Sequence, residues 1–158
     1  DLYWVAKLTM PLSCILLVGG FMVRNPSNVG QSIDQAEDAR PLVKGVVCIT
    51  RHPVQWSIIL WGVGHVVANG DLASIFFFSV FVLLSGIGTV LLDHKKTKQF
   101  DSAWERYQAS TSSVPFWALL QDRVRVKPKE LFLPVLAGSA LYFLLYYFHE
   151  WFAGAMIV

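Results

Sequence analysis

The sequence predicts an all-α protein: a polytopic membrane bundle of four transmembrane helices plus an interfacial amphipathic helix. Three observations point there. Charged residues make up 15% of the chain against 54% hydrophobic, where soluble domains carry about a quarter charged residues. The apolar residues gather in four long uncharged stretches instead of scattering. The basic residues fall almost entirely between the first and second stretches and between the third and fourth.

In chain order, the first helix is expected over about 3–23. Tyr3 and Trp4 form an aromatic belt at one interface, and Lys7 can snorkel from within the helix. Leu8 to Val23 is uncharged over sixteen residues. Arg24-Asn25-Pro26 ends this helix. Ser27–Arg40 is polar and is expected to be irregular or surface-lying. Thr50-Arg51-His52-Pro53 opens the second helix, about 53–69, because proline at the first helical position needs no amide donor and has its φ preset. Asn69 and Gly70 can supply a left-handed cap, and Asp71 can N-cap the third helix, so these two helices should form an antiparallel hairpin.

The third helix, about 72–93, holds twenty uncharged residues from Ala73 to Leu92, about the number that spans a bilayer. Its Ser85-Gly86-Ile87-Gly88-Thr89 run would allow close helix approach. In the segment 94–110, Phe100, Trp104 and Tyr107 fall at i, i+4 and i+7, one helical face. That pattern predicts an interfacial helix whose aromatic stripe anchors in the membrane. The fourth helix is expected over about 131–151, with Leu131 to Phe148 uncharged over eighteen residues. Nothing repeats internally, and residues 1–158 read as one domain.

Four spans put both termini on one side and the loops 24–52 and 93–130 on the other. The loop side holds 12 of the 13 basic residues and nets +4 after its eight acids. Lysine and arginine in short loops mark the cytoplasmic, matrix or stromal face. An organellar inner membrane, a thylakoid or a bacterial cytoplasmic membrane fits that pattern. The basic loops read as topology signals and lipid-headgroup contacts and not as nucleic-acid binders. Cys14 reads as core of the first helix and Cys48 as a loop residue in a reducing compartment; the spacing of neither suggests zinc.

Polar residues inside a membrane are the functional candidates. His65 leads, in Trp61-Gly62-Val63-Gly64-His65, twelve residues or roughly 18 Å past Pro53 at 1.5 Å per residue. An imidazole in apolar surroundings is a good haem-iron ligand, and Gly62 and Gly64 would leave room for a flat cofactor. A hydrogen bond to a neighbouring helix is the plainer role for the same ring. His149 lies eighteen residues into the fourth helix, where it could meet His65. His52 is expected to make a headgroup or loop contact, and His94 to be solvated. The sequence shows no Ser/His/Asp set or buried carboxylate pair, which argues against a hydrolase or a proton pump.

From Arg51-His52-Pro53 onward, ITRHPVQWSIILWGVGHVVANGDLAS resembles the central motif of the NnrU family and of its plant and algal relative, 15-cis-ζ-carotene isomerase. The resemblance continues through Thr111-Ser112-Ser113-Val114-Pro115-Phe116 and Phe148-His149-Glu150-Trp151. It implies Arg51, His52, Pro53, Trp61, Asn69 and Asp71 as motif positions and His65 as a ligand of haem b. The isomerase acts on the central cis double bond of a carotene. Its other ligand histidine lies on an upstream helix, before the part this chain matches, and a cysteine stands where this chain has Gly62. Two readings follow: a small integral subunit, bound to lipids and packed among neighbours in a respiratory or photosynthetic membrane complex, or a haem-dependent isomerase completed by another segment or chain. The Arg-His-Pro element, with Glu105-Arg106-Tyr107 and Pro115, is also similar to isoprenylcysteine methyltransferase-like enzymes, a more distant reading.

Overall fold

A computed structural model describes residues 3–34 and 42–154. Positions 35–41, which include Arg40 and the end of the expected polar stretch, lie outside the described residues. The described residues are helical, without strands: α1 (Tyr3–Met22), a 3-10 turn at Gly45–Cys48, α2 (Pro53–Asn69), α3 (Leu72–Phe100), α4 (Ser102–Ser110), the single turn α5 (Trp117–Leu120) and α6 (Pro128–Ala153).

Three of these helices, α1, α3 and α6, are long and apolar enough to cross a membrane. α2 has 17 residues, somewhat under the roughly 20 that span a bilayer. Pro11 lies inside α1 and Pro134 inside α6, as membrane helices tolerate. α6 packs on α1, α1 on α2 and α2 on α3. The inner helix α1 buries Ala6, Ser13, Cys14, Leu16, Gly19 and Gly20, whereas α3 and α6 stay mostly exposed.

Glycine sets how closely these helices approach. A side chain added at Gly138 of α6 would lie 2.5 Å from Ile15 Cα of α1, and one at Gly64 would lie 2.5 Å from Thr9 Oγ1. Ser13 Oγ donates to the Ser57 carbonyl at 2.8 Å, joining α1 to α2. By contrast, a Cβ at Gly86 or Gly88 would meet nothing. Among the described residues the close approach expected of the Ser85–Thr89 run is therefore not made at its glycines; Ser85 and Thr89 alone are buried there.

The hairpin of α2 and α3 forms as expected. Gly70 takes a left-handed conformation, φ 69°, as the cap of α2, and Asp71 Oδ1 accepts from the Ser74 amide at 3.0 Å. The segment 94–110 differs from expectation. α3 continues to Phe100, and the helix breaks at Asp101, where φ is 47°. Trp104 and Tyr107 do share a face, but it is wholly buried, in a cluster with Ile33, Leu42, Val47 and Ala103, with Phe100 packed alongside. The aromatic stripe that reads as a membrane anchor is the core of a cap over the ends of the helices. α6 begins at Pro128, three residues earlier than expected.

Candidate functional site

Two polar sites stand out, one at each end of α2. The first surrounds Arg51 and His52. The Arg51 guanidinium grips the Asp93 carboxylate, with Nε at 3.0 and 3.1 Å from its two oxygens and Nη2 closing the pair. His52 Nε2 donates to Asp93 Oδ1 at 3.0 Å. Among the described residues its buried Nδ1 meets no hydrogen-bond partner. His52 is fully buried, so it does not face a headgroup: the cap encloses it. His94, its neighbour in sequence to Asp93, is exposed as expected.

The carbonyl of Arg51 anchors a second set of bonds. Asn25 Nδ2 donates to it at 3.1 Å, and Ser27 Oγ also donates to it. Asn25 Oδ1 accepts from the Ser27 amide at 3.0 Å and from Tyr107 Oη at 3.0 Å. Burial raises the Tyr107 hydroxyl well above its ordinary range, more than the nearby Arg51 lowers it, so it stays a donor. The Arg51 amide donates to the Ser112 carbonyl at 2.8 Å and the Phe116 amide to the Ile49 carbonyl at 2.8 Å. Thr50 Oγ1 and Trp56 Nε1 both donate to the Ser113 carbonyl, at 2.9 and 2.7 Å. The segments Ile49–Pro53 and Thr111–Phe116, far apart in sequence, are thus one structural unit. Nearby, the Arg123 guanidinium donates to the carbonyls of Gln108, Ala109 and Thr111, satisfying the orphan carbonyls at the end of α4.

Sequence reasoning passed over Asp93, Asn25 and Tyr107. Asp93 could have been found: it is the first charge after the uncharged run of α3, as Arg51 is the last charge before α2. A tight turn at Gly70 brings those two boundaries to the same level.

The second site lies near the other end of α2. His65 Nδ1 donates to the Trp61 carbonyl at 2.9 Å. This leaves Nε2 as the lone-pair nitrogen, the arrangement that metal-binding histidines use. The ring stacks on Phe78 at 4.5 Å and lies 4.8 Å from the Trp61 ring. Asn69 Nδ2 donates to the His65 carbonyl at 2.9 Å. The His149 ring of α6 is 6.5 Å from the His65 ring, centre to centre, with planes 29° apart. One metal ion between two imidazoles would set roughly 6 Å, given about 2 Å per metal–nitrogen bond.

The glycines beside His65 do not hold space open for a cofactor. A Cβ at Gly62 would lie 2.7 Å from Val82 Cγ2 and 3.1 Å from the Phe78 carbonyl oxygen, and Gly64 is closed by Thr9 and Met10. Helix packing uses both. The apolar cavity between α2 and α3, about 290 Å³, is lined by Val63, Val66, Val67, Ser79, Val82 and Leu83 and does not reach His65. The His65 and His149 rings are thus close to each other, and the cavity between α2 and α3 is lined by neither.

A family model described as NnrU protein matches residues 2–157. A search of curated proteins and one of solved structures found no match. The matched span takes in both polar sites and every helix, and the chain belongs to the NnrU family.

Proposed function

We propose that the chain crosses the membrane four times and forms the ligand-bearing part of a haem b protein. The observation that carries this reading is the state of His65: its Nδ1 proton is committed to a backbone carbonyl and its ring is beside His149. Among the described residues no group of three or more His, Cys, Asp or Glu is placed for a metal. A metal at this pair would need the remaining donors of a macrocycle, as haem provides. His65 would hold the haem iron, with His149 as the second candidate. Haem supplies one-electron chemistry, and the isomerase that the sequence resembles would be the model for a substrate: an apolar polyene reached from the bilayer.

The enclosure must come from elsewhere. α3 and α6 expose Phe76, Phe77, Leu144 and Tyr147, and a further membrane segment or a neighbouring subunit would cover the histidine face. This joins the haem reading to the alternative of a small subunit in a larger complex. The fourth span rests on α2, about 26 Å long at 1.5 Å per residue. It is paired with α3 by a turn too tight for anything but an antiparallel hairpin.

The test is the visible spectrum of the protein drawn from its native membrane in mild detergent. A Soret band that disappears in His65→Ala and changes ligation in His149→Ala supports the site. Full haem content in His65→Ala, or none in the wild-type assembly, ends the haem reading and leaves the structural subunit.

A further inference from the structure

The larger cavity lies far from both histidines. It is about 570 Å³, where the loop 29–32 faces the end of α3, and its α3 wall is Leu92, Lys95, Lys96, Lys98, Gln99 and Phe100. Such a volume suits a small ligand. Three lysines line it and no carboxylate does. Among the described residues none of the three makes an ion pair.

Lys96 is the informative one, being only 4% exposed. Its ammonium donates to the carbonyls of Asn28, at 3.4 Å, and Gln31, and lies 5.2 Å from the centre of the Phe100 ring. These contacts pin the loop to α3 but carry no compensating full charge. Buried cations are otherwise paired. Two further lysines line the same cavity, and among the described residues no carboxylate pairs with any of the three, so an anion bound among them would relieve their repulsion.

We propose that this cavity binds a phosphate oxyanion, with the headgroup of an anionic phospholipid as its natural source. Its position favours a lipid. The lysines follow the uncharged run of α3 after Asp93 and His94, at the level where hydrocarbon gives way to headgroups. Leu92 and Phe100 offer apolar walls for the glycerol and the first methylenes, and basic pockets at helix ends on this face are suited to such headgroups. The proposal is independent of haem.

The experiment compares phosphatidylglycerol retained by the protein after transfer from mixed phosphatidylcholine–phosphatidylglycerol nanodiscs, read by native mass spectrometry. Each lysine near an anionic headgroup contributes roughly fivefold in affinity, so Lys95→Gln/Lys98→Gln should lower retention on the order of tenfold or more. The control, Lys44→Gln/Lys129→Gln, removes the same charge from exposed positions away from the cavity and should leave retention nearly unchanged. Equal unfolding midpoints in phosphatidylcholine alone establish that the first variant is folded. Displacement of the lipid by millimolar inorganic phosphate would support the site and extend it to soluble phosphate; lack of displacement would support the lipid as the source. Equal losses in both variants, or none in the first, would overturn the proposal.

Discussion

Replacing Asp93 by Asn tests whether the junction beneath the cap holds the helices together. The change keeps the shape of the side chain and removes its charge. Arg51 then keeps a guanidinium in a site where its side chain is 11% exposed and that of Asp93 17%. Removing one member of a buried pair costs about 3–5 kcal/mol because the other charge is left uncompensated. The site borders water, which sets the expected loss at the lower end, ~3 kcal/mol. For a chain of this size that corresponds to roughly 6–12 °C in unfolding midpoint. The protein carries its own reporter: Cys14 and Cys48 are free and buried, so a thiol-reactive fluorophore in detergent signals unfolding as it reaches them. Arg51→Met/Asp93→Leu removes both charges and should recover most of the loss, since apolar replacements of buried pairs are often nearly neutral. The remainder is the His52 Nε2 proton left without an acceptor. A midpoint for Asp93→Asn indistinguishable from wild type would refute the reasoning, because the pair would then contribute nothing.

Three further outcomes follow from the packing and the charge distribution. Gly138→Ala should destabilise by about 1–3 kcal/mol, as overpacking does, because the new methyl meets Ile15 Cα at 2.5 Å and its nitrogen at 2.8 Å, while Gly88→Ala should leave the same thermal unfolding curve unchanged. The Cys48 thiol is pushed up to about 11, by burial first and by Glu130 next; at neutral pH it holds almost no thiolate, so maleimide should label it only after unfolding in dodecyl sulfate or as the pH approaches 11, and rapid labelling of the folded protein at pH 7 would contradict its placement. Cysteines introduced at Asp34 and Asp122 should both be labelled by a membrane-impermeant reagent from one face of sealed vesicles, the face that carries the basic loops, and labelling from opposite faces would break the four-span topology.

Much of the helical plan was legible because it depends on local signals. Pro53, Gly70 and Asp71 act through backbone geometry that neighbouring residues cannot override, and α2 and α3 start where those residues place them. The meaning of the aromatic stripe was not legible. A face of Phe100, Trp104 and Tyr107 is equally suited to hydrocarbon and to a protein core. The choice depended on Ile33, Leu42 and Val47 arriving from another part of the chain. The same holds for glycine: Gly62, Gly64, Gly86 and Gly88 look alike in sequence, yet among the described residues the first two meet a neighbouring helix and the last two do not. His52 read as a boundary residue because the cap that buries it is assembled from segments some sixty residues apart.

These features make α2 the spine on which the candidate haem ligand is positioned. Its first turn is fixed by Arg51–Asp93 and by backbone bonds to the 112–116 segment. Farther along, Gly62 sits against α3 and Gly64 against α1. His65 follows directly, held by Trp61 within the same helix. His149 lies on α6, which packs closely on α1 at the contact of Gly138 with Ile15. The α1–α6 contact thus helps to set the distance between the two rings, while the hydrogen bond that fixes the tautomer of His65 lies within α2. A change at the α1–α6 contact should shift His149 without breaking the bond that orients His65. A change of the Trp61 side chain should leave the hydrogen bond to His65 in place, because that bond uses only the backbone carbonyl, and act through the ring that packs 4.8 Å from the imidazole.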